Sequence, residues 1–149
     1  MNRKEILNHC QYLLKQKLAN LKIELSKIQD SANQESKSSM GDKYETGRAM
    51  AQNEIDKLRQ SIAIIETQIF DLSKIESSTS SKIFLGSLIR TVDTYFLIAV
   101  GLGEIDYDKE KTFVISPVSP IGKLLLGKEK GDFFNWVGKE VEILEVTNF

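Results

Sequence analysis

The sequence predicts an α+β protein: an N-terminal antiparallel α-helical coiled-coil hairpin followed by a small domain of strands carrying one short helix. Three observations predict it. Apolar residues recur about every 3.5 positions on both sides of one glycine-acid stretch. A run of five hydroxyl residues follows, and beyond it the chain turns rich in Val, Ile, Leu, Phe and Tyr.

The glycine-acid stretch is Gly41-Asp42-Lys43-Tyr44-Glu45. Back from it, apolar or small residues fall at Ala32, Ile28, Leu25, Leu21, Leu18 and Leu14, in alternating steps of four and three. Forward, they fall at Ala51, Ile55, Leu58, Ile62, Ile65 and Ile69 with the same alternation. Paired outward from the centre, from Ala32 with Ala51 to Leu14 with Ile69, every two residue numbers sum to 83. An antiparallel hairpin requires this, because each step down one arm is a step up the other. The fold-back then lies near 41/42, with a hairpin over 1–76 and its tip near 36–46. From the centre to Ile6 is 35 residues, so a helical arm reaches roughly 50 Å. Lys4, Leu7 and Gln11 hold the earliest seam positions, so the base is expected to pack differently from the upper arm.

At 149 residues the chain accommodates one ordinary domain or two small ones. Residues 1–76 carry 12 Lys/Arg and 11 Asp/Glu, and the remainder carries 8 and 10. So even a balance gives no electrostatic reason to grip duplex DNA or an anionic membrane. One cysteine, Cys10, excludes an internal disulfide framework and suits a reducing compartment. The first residues enter an amphipathic pattern at once, with no run apolar enough for a signal peptide or a spanning helix. A soluble cytoplasmic protein is the expectation.

Ser77-Ser78-Thr79-Ser80-Ser81 reads as a linker, poor in helix propensity and without an apolar anchor, leaving 82–149 as the second domain. Strands are expected within Ile83 to Val92, Thr94 to Val100 and Thr112 to Ile115, and a last hairpin over Asp132 to Val137 and Lys139 to Val146 turning at Gly138. One helix interrupts them. Ser119 is its N-cap, Pro120 its first residue, Ile121, Leu124 and Leu125 its apolar face, and Gly127 its close. The sheet is expected to be mostly antiparallel with that helix packed on it.

The run Ile115-Ser116-Pro117-Val118-Ser119-Pro120-Ile121-Gly122-Lys123-Leu124-Leu125-Leu126-Gly127-Lys128, then Gly131-Asp132 and Glu140-Val141-Glu142-Ile143, resembles the C-terminal domain of the Gre-type transcript-cleavage factors of bacterial RNA polymerase. Gly41-Asp42-Lys43-Tyr44-Glu45 is similar to the Gly-Asp-x-x-Glu of the family's coiled-coil tip. The resemblance implies an FKBP-like second domain that grips the polymerase, here through Ser119, Pro120, Ile121, Gly122 and Lys123. It implies that the hairpin enters the secondary channel, where Asp42 and Glu45 help hold a second Mg²⁺ and orient a water. The polymerase then cuts its own backtracked transcript; the factor has no cofactor of its own and is not itself an enzyme. Lys37, Lys43 and Arg48 lie beside the tip, placed to approach the RNA 3′ end. Bacterial RNA polymerase is the expected partner, sequence-specific DNA and membranes are not, and a monomer is expected. Where the family continues with Asn-Ala-Glu-Tyr, this chain has Thr46-Gly47-Arg48-Ala49, so a further acid and an aromatic are missing.

Each motif also has a plainer reading. Asp42-x-x-Glu45 is a capping box, in which each side chain satisfies the other residue's amide. The family's chemistry and the cap compete for the same oxygens. A channel modulator without cleavage, and an interaction adaptor unrelated to transcription, stay open beside the cleavage factor; an independent prolyl isomerase is a remote third. His9 and Cys10 diverge by about 100° on a helix and form no nucleophile-base pair. With a single histidine, neither a zinc site nor a Ser-His-Asp triad is expected. Glu104, Asp106, Asp108 and Glu110 read as a solvated acidic loop without the spacing of an EF-hand. Phe133, Phe134 and Trp136 read as core, with one of the two neighbouring phenylalanines facing outward. Lys27 is one more cation on the tip-ward part of the first arm.

Overall fold

The computed structural model describes the backbone of residues 1–38 and 42–149, and their side chains except those of 34–38 and 42–44. Helix α1 spans Arg3–Ser38 and α2 spans Asp42–Ser73, the two arms of the expected hairpin. The chain divides into two compact units, residues 12–69, and residues 1–11 together with 70–149.

In the unit of residues 12–69 the seam runs where the heptads place it. Leu14, Ile55, Leu58, Ile62 and Ile65 are buried, and Leu18, Leu21, Leu25, Ile28, Ala32, Ala51 and Ile69 are half-buried. The intervening positions, such as Lys15, Lys22, Glu54 and Lys57, are exposed. Each fully buried Leu or Ile contributes about 1.5–3 kcal/mol, so this narrow seam holds the arms together with little beyond it. Toward the tip the seam thins to Ala32 and Ala51. Gln29, Asn33, Arg48 and Gln52 line the cleft beside them, of about 600 Å³.

The unit of residues 1–11 and 70–149 begins with a different helix face. The buried stripe of α1 here is Arg3, Ile6 and Cys10, while Lys4 is exposed and Leu7 and Gln11 are half-buried. The Arg3 guanidinium is held by two backbone carbonyls. Its Nε donates to the Gly86 carbonyl at 2.6 Å and its Nη2 to the Glu76 carbonyl at 2.8 Å, and burial lowers its pKa. Helix α2 stops at Ser73, short of the expected Glu76, because two tight i→i+3 bonds follow, from Lys74 N to Asp71 O and from Ile75 N to Leu72 O.

The strands are β1 (Leu88–Arg90), β2 (Tyr95–Ile98), β3 (Gly103–Tyr107), β4 (Glu110–Ile115), β5 (Phe133–Trp136), β6 (Lys139–Glu142) and β7 (Glu145–Thr147), with α3 at Pro120–Leu125. Five form one sheet in the order β3-β4-β2-β1-β7, and β5 pairs with β6 alone. Only the β2–β4 pair is parallel, so the sheet is mostly antiparallel as expected. Ile83, Ile89, Phe96, Ile98, Ile115, Leu125, Phe134 and Ile143 form the core.

Three expectations need correction. Glu104, Asp106, Asp108 and Glu110 do not lie on a loop. Glu104 and Asp106 sit on the exposed face of edge strand β3, Asp108 and Lys109 make a two-residue turn with both φ positive, and Glu110 opens β4. Half-buried Ile105 and Tyr107 supply the alternation of a half-buried strand, which four acids mask in sequence. The apolar run from 139 to 146 is two strands, not one: β6 ends at Glu142, Ile143 turns into the core, and β7 pairs with β1. Leu124, placed on the inner face of α3 by its spacing, is 43% exposed, whereas Leu125 is fully buried and Ile121 half-buried.

The hydroxyl run lies within this unit and has partners. Ser78 N donates to the Asn148 carbonyl at 2.7 Å, and Asn148 Nδ2 donates to the carbonyls of Ser80 at 2.7 Å and Lys82 at 3.0 Å. The Ser87 hydroxyl donates to Asn148 Oδ1, which completes the amide's partners.

Candidate functional site

Two groups of residues carry the chemistry singled out from sequence, one in each compact unit. In the hairpin, Asp42 is the first residue of α2 and Glu45 lies three positions on, exposed. Residues three apart on a helix share a face, so positions 42 and 45 fall on one side of the first turn of α2. The side chains of Lys37, Asp42 and Lys43 lie outside the described residues, and so does the capping box. Arg48 is exposed and lines the cleft beside Ala32 and Ala51, together with Arg59. Lys27 is exposed as well.

Two carboxylates fill at most part of the six-oxygen shell that Mg²⁺ demands. Among the described residues no group of three or more His, Cys, Asp or Glu is gathered closely enough to hold a metal.

The second group is built by the turn before α3. Ser119 Oγ accepts a hydrogen bond from Gly122 N at 3.1 Å and donates to the Ser116 carbonyl at 2.6 Å, so one hydroxyl both caps the helix and closes the turn. Pro120 occupies the first helical turn, and Gly127, at φ +84°, comes directly after the C-cap Leu126. Of the five positions singled out here, Ser119, Ile121 and Gly122 face inward or into the turn, while Pro120 and Lys123 are exposed. The exposed apolar residues around them are Val118 at 74%, Leu124 at 43% and Leu126 at 38%; none was singled out in sequence as a contact residue, and Leu124 reads there as core. Their spacing resembles a core stripe, and only the tight turn at Gly122 reveals which side faces out.

His9 and Cys10 behave as expected of neighbours on a helix. The His9 ring meets Tyr107 of β3 at 4.9 Å, and Cys10 is fully buried, which pushes its thiol pKa up to about 12. Of the last-hairpin aromatics, Phe134 is buried and Phe133 is 51% exposed, as strand alternation requires. Trp136 packs edge-on against Phe96 with ring centroids 5.2 Å apart.

Residues 78–148, a little under half of the chain, match the family model described as transcription elongation factor, GreA/GreB, C-terminal. Among solved structures, GreA factor homolog 1 (Gfh1) of Thermus thermophilus is 22% identical, over 91% of this chain and 93% of that one, with a TM-score of 0.38. A second structure, of the transcription factor Gfh1, is also 22% identical, over 91% and 92%, with a TM-score of 0.36. No curated protein matches the chain.

Proposed function

We propose that this chain, whose residues 78–148 match the GreA/GreB C-terminal family model, is a divergent Gre-type transcription elongation factor that binds bacterial RNA polymerase and acts through the secondary channel. The observation that carries this reading is the family match of residues 78–148, behind a hairpin whose second helix opens on Asp42. In this reading the exposed ridge of Val118, Pro120, Lys123 and Leu124 meets the polymerase, with Ser119, Ile121 and Gly122 holding its shape. Asp42 and Glu45 would approach the active centre and help to hold a shared Mg²⁺. When bound there, Mg²⁺ supplies positive charge to the scissile phosphodiester. The same two carboxylates would orient a water for the polymerase's own cleavage. The catalyst is the polymerase, and the chain alone cuts nothing. Lys37, Lys43 and Arg48 offer cations to the RNA 3′ segment. The setting is the cytoplasm, where transcription proceeds, and no helix among the described residues is long and apolar enough to cross a membrane.

The test is transcript cleavage in stalled, backtracked complexes of the matching polymerase. Shortened transcripts that appear faster with the chain present support the reading. Binding that competes with a true cleavage factor, without cleavage, selects the modulator instead, which the exposed Arg48 in Thr46-Gly47-Arg48-Ala49 favours. No binding at all removes both and leaves the adaptor.

A further inference from the structure

We propose that the groove floored by Phe113 and Trp136, which stand on the buried ring of Phe96, is a docking site for a partner segment that presents a large apolar side chain between basic residues. The groove measures about 850 Å³ and lies in the unit of residues 1–11 and 70–149. None of residues 119–123 lines it, so it is a separate surface from the ridge before α3.

Its floor is aromatic and unfilled. Trp136 stands edge-on to Phe96, and its ring centroid is 5.2 Å from that of Phe113, yet both Trp136 and Phe113 are only half-buried. At its mouth Val92 is 78% exposed, Val137 82% and Phe133 51%. Single exposed apolar residues are ordinary; three around one aromatic groove mark a contact surface.

Val137 carries a second signal. It has φ +51° beside Gly138 at φ +77°, the two central residues of the β5–β6 turn. That turn favours asparagine or glycine at both places, and a β-branched residue there is under strain. Strain kept on an exposed apolar side chain at the lip of a groove points to contact with a partner.

Charge selects the occupant. Asp93, Glu140 and Glu142 line the groove. Of its two lysines, Lys111 is held by Glu104 at 2.9 Å, which leaves Lys139 against three carboxylates. The resulting negative rim steers in cationic flanks and repels acidic ones, while the aromatic floor takes the apolar side chain.

Trp136 is the one tryptophan of the chain, so its emission reads the groove directly. The full chain is titrated with a short peptide of Leu-Phe-Leu flanked by lysines, and with the same centre flanked by glutamates. The expected result is a saturable change in Trp136 emission, with binding roughly tenfold or more weaker for the glutamate peptide. Val137→Asn is expected to melt at a higher temperature, because the turn relaxes, and to bind the lysine peptide roughly tenfold more weakly. Phe133→Ser, on a side chain already half out of the core, is expected to weaken binding likewise. Equal affinity for both peptides, or none for either, overturns the proposal. A Trp136 shift that depends on protein concentration alone, with a dimer in sedimentation, overturns it in favour of a second copy.

Discussion

Gly122 lies so close under the carbonyl of Ser116 that a β-carbon on it would stand 2.1 Å from that oxygen. The contact is backbone to backbone, so no rotamer change relieves it. The same turn aims Gly122 N at Ser119 Oγ, and the ridge exposed before α3 depends on both relationships. Gly122→Ala is therefore expected to cost about 3 kcal/mol by forcing the turn open. A denaturant melt checks it. A loss below about 0.5 kcal/mol would show that the turn yields and that the glycine is not what shapes the ridge.

Asn148 is the hub that holds the hydroxyl run: its side chain donates two bonds and accepts one, its carbonyl accepts another from Ser78 N, and the residue is 1% exposed. Asn148→Ala leaves the Ser80 and Lys82 carbonyls without their donor and is expected to destabilise the protein by about 3 kcal/mol. Asn148→Asp should do no better than alanine, since a carboxylate has nothing to donate to those carbonyls. Thermal unfolding of the two variants side by side decides this. Recovery of wild-type stability by aspartate would rule out the donor role of the amide.

Cys10 gives a pH dependence with a defined sign. Its thiol is raised to about 12 by burial, so in the folded state it stays protonated while the unfolded chain loses the proton above the ordinary thiol range of about 8.5. The folded state then binds more protons than the unfolded one. Stability from this group is fully present below about pH 8.5 and falls as pH rises toward the folded value, by about 1.4 kcal/mol per unit. Denaturant midpoints measured from pH 8 to 10.5 for wild type and Cys10→Ala should diverge in slope, wild type falling more steeply. The native thiol should also resist maleimide at pH 8 until the protein is unfolded.

Asp42 opens α2, and asparagine caps a helix about as well as aspartate. Asp42→Asn should therefore leave the helical signal in circular dichroism unchanged while lowering stimulated transcript cleavage by roughly tenfold or more through the lost oxygen ligand. Polymerase affinity should hold. Equal cleavage by Asp42→Asn would reduce the acid to its capping role.

The hairpin was legible because heptads are local and redundant: twelve seam positions from Leu14 to Ile69 agree with one another, so the burial of each confirms the rest. Ser119, Pro120 and Gly127 were legible for a related reason, since capping chemistry acts within one turn. The base of α1 was not. Its inward face is set by partners far along the chain, Glu76 and Gly86, which draw in Arg3, a residue whose charge argues for the surface. Strand β3 was hidden by Glu104 and Asp106 on its exposed face together with Asp108 and Glu110 just beyond it, which outweigh Ile105 and Tyr107 in any compositional reading. The aromatic groove was missed because Phe96, Phe113 and Trp136 each look like core, and only their assembly shows that one side is left uncovered.

The strand order has a consequence for biogenesis. β2 meets β1 within a few residues of its own synthesis, but its parallel neighbour β4 arrives only after the intervening β3, and the outer flank of β1 waits for residues 145–147. A nascent chain halted near residue 130 would display an unfinished ribbon with β1 bare along one side, a template for any extended segment nearby. The last strand to be made, residues 145–147, is thus also the one that closes this exposed flank.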